Sequence, residues 1–520
     1  MTGLFVANSP SNVRTEIYSK RAVTVFSQEY INQAEERAIS QAVQFARQIA
    51  ALKNVQTYSE PYYVMDMGRV VELMSQWKTC LPRVLPFYSI SCNDDGVLLK
   101  LLANYSDVGF FCQSRQNMEK ALEYVSSDRI LYSNPMWTRS TLSQAMSNGV
   151  NLVSFESARD LDRILMNHPN AELLLRICVN AQSEDTNAHI GCDLDNAAEL
   201  LQLAAVSGAN CVGVSFTVGA GCDQQPNIYA SAIESAAQLF DYGRQLGLNM
   251  NTFNLGGGFS HIQHAFPQSC EYINRSLDYY FPIDSCSDIR IIATPGRFFA
   301  GSPFTLVTNI IGRRSVDLSN ITNDDFDSGR EAFIYQTNES YYGPFGCRLN
   351  AIEPECRPLF DHYLDEYKSE HVYGSVVGPT FDDMDVVQQL CRFRPMDEGD
   401  WLIWQNMGAY TMNNKASLDD EEENRGPVVF YFASQKAWNG IEFSNGKLAD
   451  MDVTDDDQSV PTTPVHSVCS DDFEDRSCGE RCAESDISDS PTPDDILEEF
   501  DDRDVDEADF LAIFRWPFYE

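Results

Sequence analysis

Short apolar runs alternate with longer amphipathic segments from about Tyr62 to Ile311. The runs are RVLPFYSI (83–90), VGFFC (108–112), RILYS (129–133), NLVSF (151–155), ELLLRICV (172–179), CVGVSFTV (211–218), NTFNL (251–255) and IRIIAT (289–294). Runs of this length and composition read as strands buried on both faces. Between them, segments such as NAAELLQLAAVSG and ASAIESAAQLFDYGRQLG repeat apolar residues three and four apart, the spacing of helices that pack by one face. Eight strands alternating with helices over about 250 residues predict a (β/α)8 barrel, an α/β fold, over residues 62–311. A doubly wound open sheet gives a similar alternation and is the competing architecture.

After Ile311 the texture changes. EAFIYQTNESYYG, SVVGPTF, DWLIWQNMGAYT and PVVFYFAS read as strands without long helices between them. They predict a second domain of β-sandwich or barrel-like type over residues 312–438. Residues 1–61 are expected to contribute to that domain or cap it, with QEYINQAEERAISQAVQFARQIAAL as one helix. SLDDEEENR (417–425) reads as a loop insertion. From 439 to 520 Asp, Ser and Pro dominate, and such a composition cannot offset its ordering entropy, so a disordered acidic tail is expected. The last residues, DFLAIFRWPFYE, break that pattern. They read either as a docking segment for this chain or a partner, or as a solvated end.

The formal net charge is -40, and residues 441–520 hold 25 acidic against 5 basic residues. Such acidity excludes nucleic acid as a partner. No apolar run reaches the roughly 18 residues of a membrane span. The start, MTGLFVANSPSNVR, lacks a basic segment followed by an apolar one, and the fifteen cysteines form no CxxC pair. A cytoplasmic protein with reduced thiols and no metal site is expected.

Barrel sites form where strands end, with phosphate often held after strands seven and eight. Those loops are Gly256-Gly257-Gly258-Phe259 and Thr294-Pro295-Gly296-Arg297. Consecutive glycines let backbone N–H groups approach a phosphate, and an arginine adds a fork of donors. A tight turn with no ligand explains the same glycines.

PYYVMDMG, LPRVLPFYSISCND, ILYSNP, VGVSFTVGAGC, LGGGF, ATPGRFFAGSPFTLVTNIIGRR, GPTFDDMD and QNMGAYT lie between about Pro61 and Trp438. Together they make the chain resemble eukaryotic ornithine decarboxylases and their inactive relatives, the antizyme inhibitors. The resemblance implies a pyridoxal-phosphate (PLP) binding barrel plus a β domain, with active sites shared across a dimer. It also implies a degenerate site. Ser91 stands where the family carries the Schiff-base lysine, and a hydroxyl cannot form that bond. Between Pro61 and Tyr367 the only lysines are Lys78, Lys100 and Lys120, all outside strand ends. Thr294 replaces the glutamate that bonds the pyridine nitrogen, Thr217 the histidine that stacks on the ring, and Ala220 a phosphate-contacting serine. Phe111 replaces the acid after strand two, and Phe381 the cysteine lent by the partner subunit. Glu339 is a conservative change from the substrate-amine aspartate, and Asp382 is kept. Gly256, Gly257, Gly258, Gly296, Arg297 and Tyr410 match the family's phosphate end as a vestigial site, and Arg176 matches a barrel arginine.

The reading that follows is an inactive ornithine decarboxylase-like regulator of polyamine synthesis, with no covalent cofactor. Noncovalent PLP or phosphate is the alternative occupant. The partner is an active ornithine decarboxylase paralogue, antizyme, or a second copy of the chain. The antizyme-facing stretch NPMWTRSTLSQAMSNG keeps Arg139 but has Trp137 and Ser143 in place of lysines. Rival readings are an active decarboxylase with a divergent site and a scaffold acting through its tail. Ser91 as a nucleophile would need a base, and His189 and His261 have no triad spacing with it.

Overall fold

The computed structural model describes residues 41–134, 136–179, 190–218, 227–259, 265–360, 371–380, 382–412 and 426–433. It adds the backbone alone of 13–18, 21–26 and 514–515. The acidic insertion at 417–425, and the tail from 439 apart from 514–515, lie outside the described residues.

Among the described residues, the first two strands, β1 (Val13–Tyr18) and β2 (Arg21–Phe26), pair only with each other. The helix expected at the N-terminal side spans Gln41–Val55, with residues 27–40 outside the described set. Its buried face carries Val43, Phe45, Ala46 and Ile49. That face covers β3 (Tyr62–Asp66) of the second sheet, with Phe45 5.4 Å from Phe432 between ring centroids.

Eight parallel strands close a barrel. They are β4 (Leu85–Ser89), β5 (Gly109–Cys112), β6 (Ile130–Tyr132), β7 (Leu152–Phe155), β8 (Glu172–Cys178), β9 (Cys211–Thr217), β10 (Thr252–Asn254) and β11 (Arg290–Ala293). Each falls within one of the eight apolar runs, and β11 pairs with β4, which rules out the open sheet. Inside the barrel, Phe87, Leu131, Leu152, Leu174, Val212 and Ile292 pack as one apolar layer. Outside it, Trp77 is fully buried among Phe259, Phe266, Phe298 and Phe299 at centroid distances of 4.9–5.7 Å. Its indole N–H donates to the Val84 carbonyl at 2.9 Å. That cluster fixes the short helix Arg297–Ala300 against the barrel wall.

The second domain is a mixed sheet. It contains β12 (Phe304–Asp317), β13 (Glu331–Thr337), β14 (Cys356–Pro358), β15 (Val372–Val377), β16 (Val386–Phe393), β17 (Trp401–Trp404), β18 (Val428–Phe432) and the two-residue β19 (Phe514–Arg515). The apolar pattern draws the barrel's limits at 62 and 311. Strand pairing instead puts β3 and β12 side by side in this second sheet, so the chain passes through the β domain before entering the barrel at Met67. A five-residue apolar run carries no mark of which sheet it joins.

The two domains meet at the segment that follows β4. The Asn93 amide donates to the Gly408 carbonyl at 2.8 Å, and the Tyr410 N–H to the Cys92 carbonyl at 2.8 Å. Asp95 is buried; one carboxylate oxygen caps the helix Gly96–Ala103 through the Leu98 N–H (2.9 Å) and the other accepts the Tyr431 hydroxyl (2.7 Å). Removing that hydroxyl leaves a buried carboxylate oxygen without its partner. Tyr431→Phe is therefore expected to lower unfolding stability by about 1–3 kcal/mol, measured as a shift of the denaturant midpoint.

Candidate functional site

Above the apolar layer, seven strands each carry a buried polar side chain at or next to their ends: Ser89, Ser133, Ser154, Arg176, Ser215, Asn254 and Thr294. Buried polar groups cost free energy unless they are paired. Here the Ser133 and Ser154 hydroxyls pair at 2.5 Å, and the Asn254 amide donates to Ser215 Oγ at 2.9 Å. Arg176 donates to Ser133 Oγ at 3.1 Å and, from Nε and Nη2, to Glu156 Oε2 at 3.0 and 2.8 Å. Glu156 also accepts the Gly191 N–H at 3.0 Å. The remaining strand contributes Phe111, which packs against the apolar layer below.

Ser91 lies just past β4 in the turn Ile90–Cys92, half-buried. Its hydroxyl donates to Gln113 Oε1 at 2.8 Å and lies 3.2 Å from the Ser89 hydroxyl. No lysine among the described residues reaches this mouth. Lys53, Lys78 and Lys120 form ion pairs with Glu60, Asp107 and Asp94, and Lys100 lies in the helix Gly96–Ala103.

The two glycine loops meet across the mouth. The Thr294 N–H donates to the Gly256 carbonyl at 2.7 Å. Gly256 and Gly258 have φ of +67° and +96°. A Cβ on Gly256 would lie 2.0 Å from the Phe216 carbonyl oxygen, so both conformation and space demand glycine there. A Cβ on Gly257 would sit 3.0 Å from the Thr294 carbonyl oxygen, and one on Gly296 2.9 Å from Cys92 Cβ. Thr217 ends β9 opposite Cys178. Cys92, Arg297 and Tyr410 come together beside these turns. Burial pushes the Cys92 thiol and the Tyr410 phenol up to about 12, while the Arg297 charge pulls both down. Tyr410 holds a left-handed backbone, φ 59°, at this point.

A second group sits on the β domain. Asp385 is buried and accepts from Ser340 Oγ (2.9 Å), the Tyr341 N–H (2.7 Å), Thr380 Oγ1 (2.6 Å) and the Thr380 N–H (3.2 Å). It thereby ties the loop after β15 to the loop after β13. Asp382 is exposed on that loop and accepts the Tyr342 hydroxyl, which lowers its pKa. Glu339 lies at the base of the same arrangement, its carboxyl pushed up to about 7 by burial and further by Asp385, with the Ser340 N–H opposing. Phe381, Ala220, His189 and His261 lie outside the described residues. Trp137 is buried, with its N–H on the Ser154 carbonyl at 2.9 Å, and Arg139 is exposed at the start of the helix Arg139–Ser147. Gln113, Glu156 and Asp385 escape the sequence reading. Asp385 ends the quoted GPTFDDMD motif and was within its reach; nothing in the sequence couples Glu156 to Arg176.

Residues 67–301 match the family model described as pyridoxal-dependent decarboxylase, pyridoxal binding domain. Ornithine decarboxylase of Panagrellus redivivus is 36% identical over 403 residues, covering 76% of this chain and 91% of its own length. Mouse antizyme inhibitor 1 is 32% identical over 393 residues, covering 74% and 84%. Among solved structures, the Paramecium bursaria Chlorella virus arginine decarboxylase bound to agmatine superposes with a TM-score of 0.65 at 28% identity. It covers 74% of this chain and 99% of its own. With the barrel, the second sheet and these likenesses in agreement, the chain belongs to the ornithine decarboxylase and antizyme inhibitor family.

Proposed function

We propose that the chain is a non-enzymatic member of its family that regulates polyamine synthesis by pairing with an active ornithine decarboxylase subunit in the cytoplasm. The observation that carries this reading is Ser91 at the end of β4, where the family's Schiff-base lysine belongs, in a mouth with no other primary amine among the described residues. Covalently held PLP does not fit such a mouth. The surroundings agree. Thr294 offers a hydroxyl where the ring nitrogen of the cofactor needs a carboxylate, Thr217 cannot stack on the ring, and Phe111 brings an apolar ring to the polar layer. Gly256, Gly257, Gly258, Gly296, Arg297 and Tyr410 are read as a vestigial phosphate cradle. The backbone's own demand for glycine at 256 supports that reading, with noncovalent PLP or phosphate as the alternative occupant.

The β-domain half supports pairing. Asp382 is exposed on a loop that Asp385 holds in place, ready for a neighbouring subunit. In a mixed dimer one site would contain Ser91 and the other Phe381, which can neither donate nor take a proton. Both sites would fail, and the chain would act as an inhibitor by subunit capture. Release of active enzyme by binding antizyme is the second reading. It is weakened by Trp137, whose burial in the barrel wall removes it from the surface where a lysine would act.

Three outcomes are expected. Purified chain mixed with PLP and treated with borohydride should carry no reduced adduct by mass spectrometry and release no CO2 from ornithine; an adduct on any barrel lysine refutes the assignment. Co-expression with an active family member should reduce decarboxylase activity in proportion to dose without antizyme present, whereas a rise confined to antizyme-containing cells supports the second reading instead. Glu339 supplies a pH signature. The unfolded chain loses this proton near the ordinary carboxylate value of 4.5 and the folded chain near 7, so stability falls as pH rises between them and levels off above. Glu339→Gln should flatten that slope in denaturant titrations and raise stability at pH 8.

A further inference from the structure

We propose that Cys356 and Cys391 form a thiol–disulfide exchange site for small anionic disulfides of the glutathione type, reached through a cavity in the β domain. The inference is independent of the proposed function. The two cysteines stand on strands that do not pair with each other. Cys356 opens β14, which pairs with β17, and Cys391 lies in β16, which pairs with β15. β12 pairs with β17 through Leu306–Asn309 and with β13, the neighbour of β15, through Ile310–Asp317. Among the described residues, β14 and β16 are thus the two ends of one path of paired strands.

Those ends meet through side chains. Gln388 of β16 bridges them: its Oε1 accepts the Cys356 N–H at 3.0 Å, and its Nε2 donates to the Leu390 carbonyl at 3.0 Å. The bridge sets Cys356 beside the stretch of β16 that holds Cys391, and the two thiols lie within hydrogen-bond reach of each other. Each residue is only 6% exposed. A cavity of about 320 Å³ nevertheless touches both, the scale of a small-molecule site. At its rim Leu390, Arg392 and Glu355 are exposed. Arg392 lies over the Tyr373 ring at 5.2 Å, and Arg357 donates to Gln405 Oε1 at 2.5 Å, so both guanidinium groups are held in place. Two arginines against one glutamate leave this lining cationic, on a chain whose formal net charge is -40. An anion repelled by the rest of the molecule meets a favourable entrance here. Glutathione disulfide supplies both the carboxylates for that rim and the sulfur pair for the thiols beneath it.

Burial and the Cys391 sulfur hold the proton on Cys356, above the usual thiol range, so Cys391 attacks first. Its sulfur displaces one half of the incoming disulfide and forms a mixed disulfide. The departing glutathione sulfur takes the proton that Cys391 gave up. Cys356 then attacks the Cys391 sulfur and passes its own proton to the second glutathione sulfur as that leaves. Two thiols are oxidised to one disulfide, and one glutathione disulfide is reduced to two glutathione thiols. The new bond joins the ends of the strand path covalently, where Gln388 alone bridged the backbones before.

Reduced full chain incubated with oxidised glutathione, then denatured, alkylated and mapped by mass spectrometry, tests the proposal. The peptides carrying Cys356 and Cys391 should be joined, lighter by the two hydrogens lost, and dithiothreitol should release them. Cys356→Ser should stop the reaction at a glutathione adduct on Cys391, whereas Cys391→Ser should leave Cys356 alkylated. Arg392→Gln should slow the joining by about threefold or more with oxidised glutathione and leave its rate with uncharged hydroxyethyl disulfide unchanged. Full alkylation of both cysteines in the unaltered chain, or a disulfide mapped only to other cysteines, overturns the inference. Equal slowing of both reagents by Arg392→Gln also overturns it, because the rim charge would then select nothing.

Discussion

The segment Cys92–Asp95 is where the molecule's two domains become one object. Asp95 is the hinge of the arrangement: a single buried carboxylate starts a barrel helix with one oxygen and receives a hydroxyl from the far sheet with the other. Burial raises its pKa, while the Leu98 N–H, the Tyr431 hydroxyl and the Val97 N–H pull the other way. Three contacts therefore hold the C-terminal end of β4 against Gly408, Tyr410 and Tyr431. The position after that strand end is fixed in space whatever residue occupies it. Ser91 occupies that place and donates its hydroxyl to Gln113.

The polar layer above the barrel core is held by bonds within the barrel itself. Removing a buried charge from a paired set leaves an uncompensated partner, which is costly. The layer avoids this by closing its bonds internally: Arg176 is neutralised by Glu156, and the serines and Asn254 pair along neighbouring strand ends. Phe111 takes the one remaining position and extends the apolar layer upward. Arg176, Glu156, Ser133, Ser154, Ser215 and Asn254 thus find partners within the barrel itself.

The barrel was legible because a parallel strand buried on both faces leaves an unbroken apolar run, and all eight runs became strands within a residue or two of their ends. The second sheet was less so. Tyr62–Asp66 looks like any barrel strand, and only its pairing with Phe304–Val307 and Val428–Phe432 assigns it. Residues at strand ends and in glycine loops could be picked out because their place in the fold follows from their place in the chain. Gln113, Glu156 and Asp385 act through partners up to 45 residues away, and such pairings are set by packing that no local pattern records. Trp137 illustrates the converse: the resemblance implies a surface position, while its burial and its bond to Ser154 make it part of the wall.

Gly256 has a consequence for what its loop can tolerate. Its left-handed backbone and the carbonyl oxygen of Phe216 leave no room for any side chain, with or without an anion above the loop. Any replacement at this glycine would strain the strand end against the carbonyl of Phe216. The backbone alone demands glycine at this position, so its presence is no measure of what the loop binds.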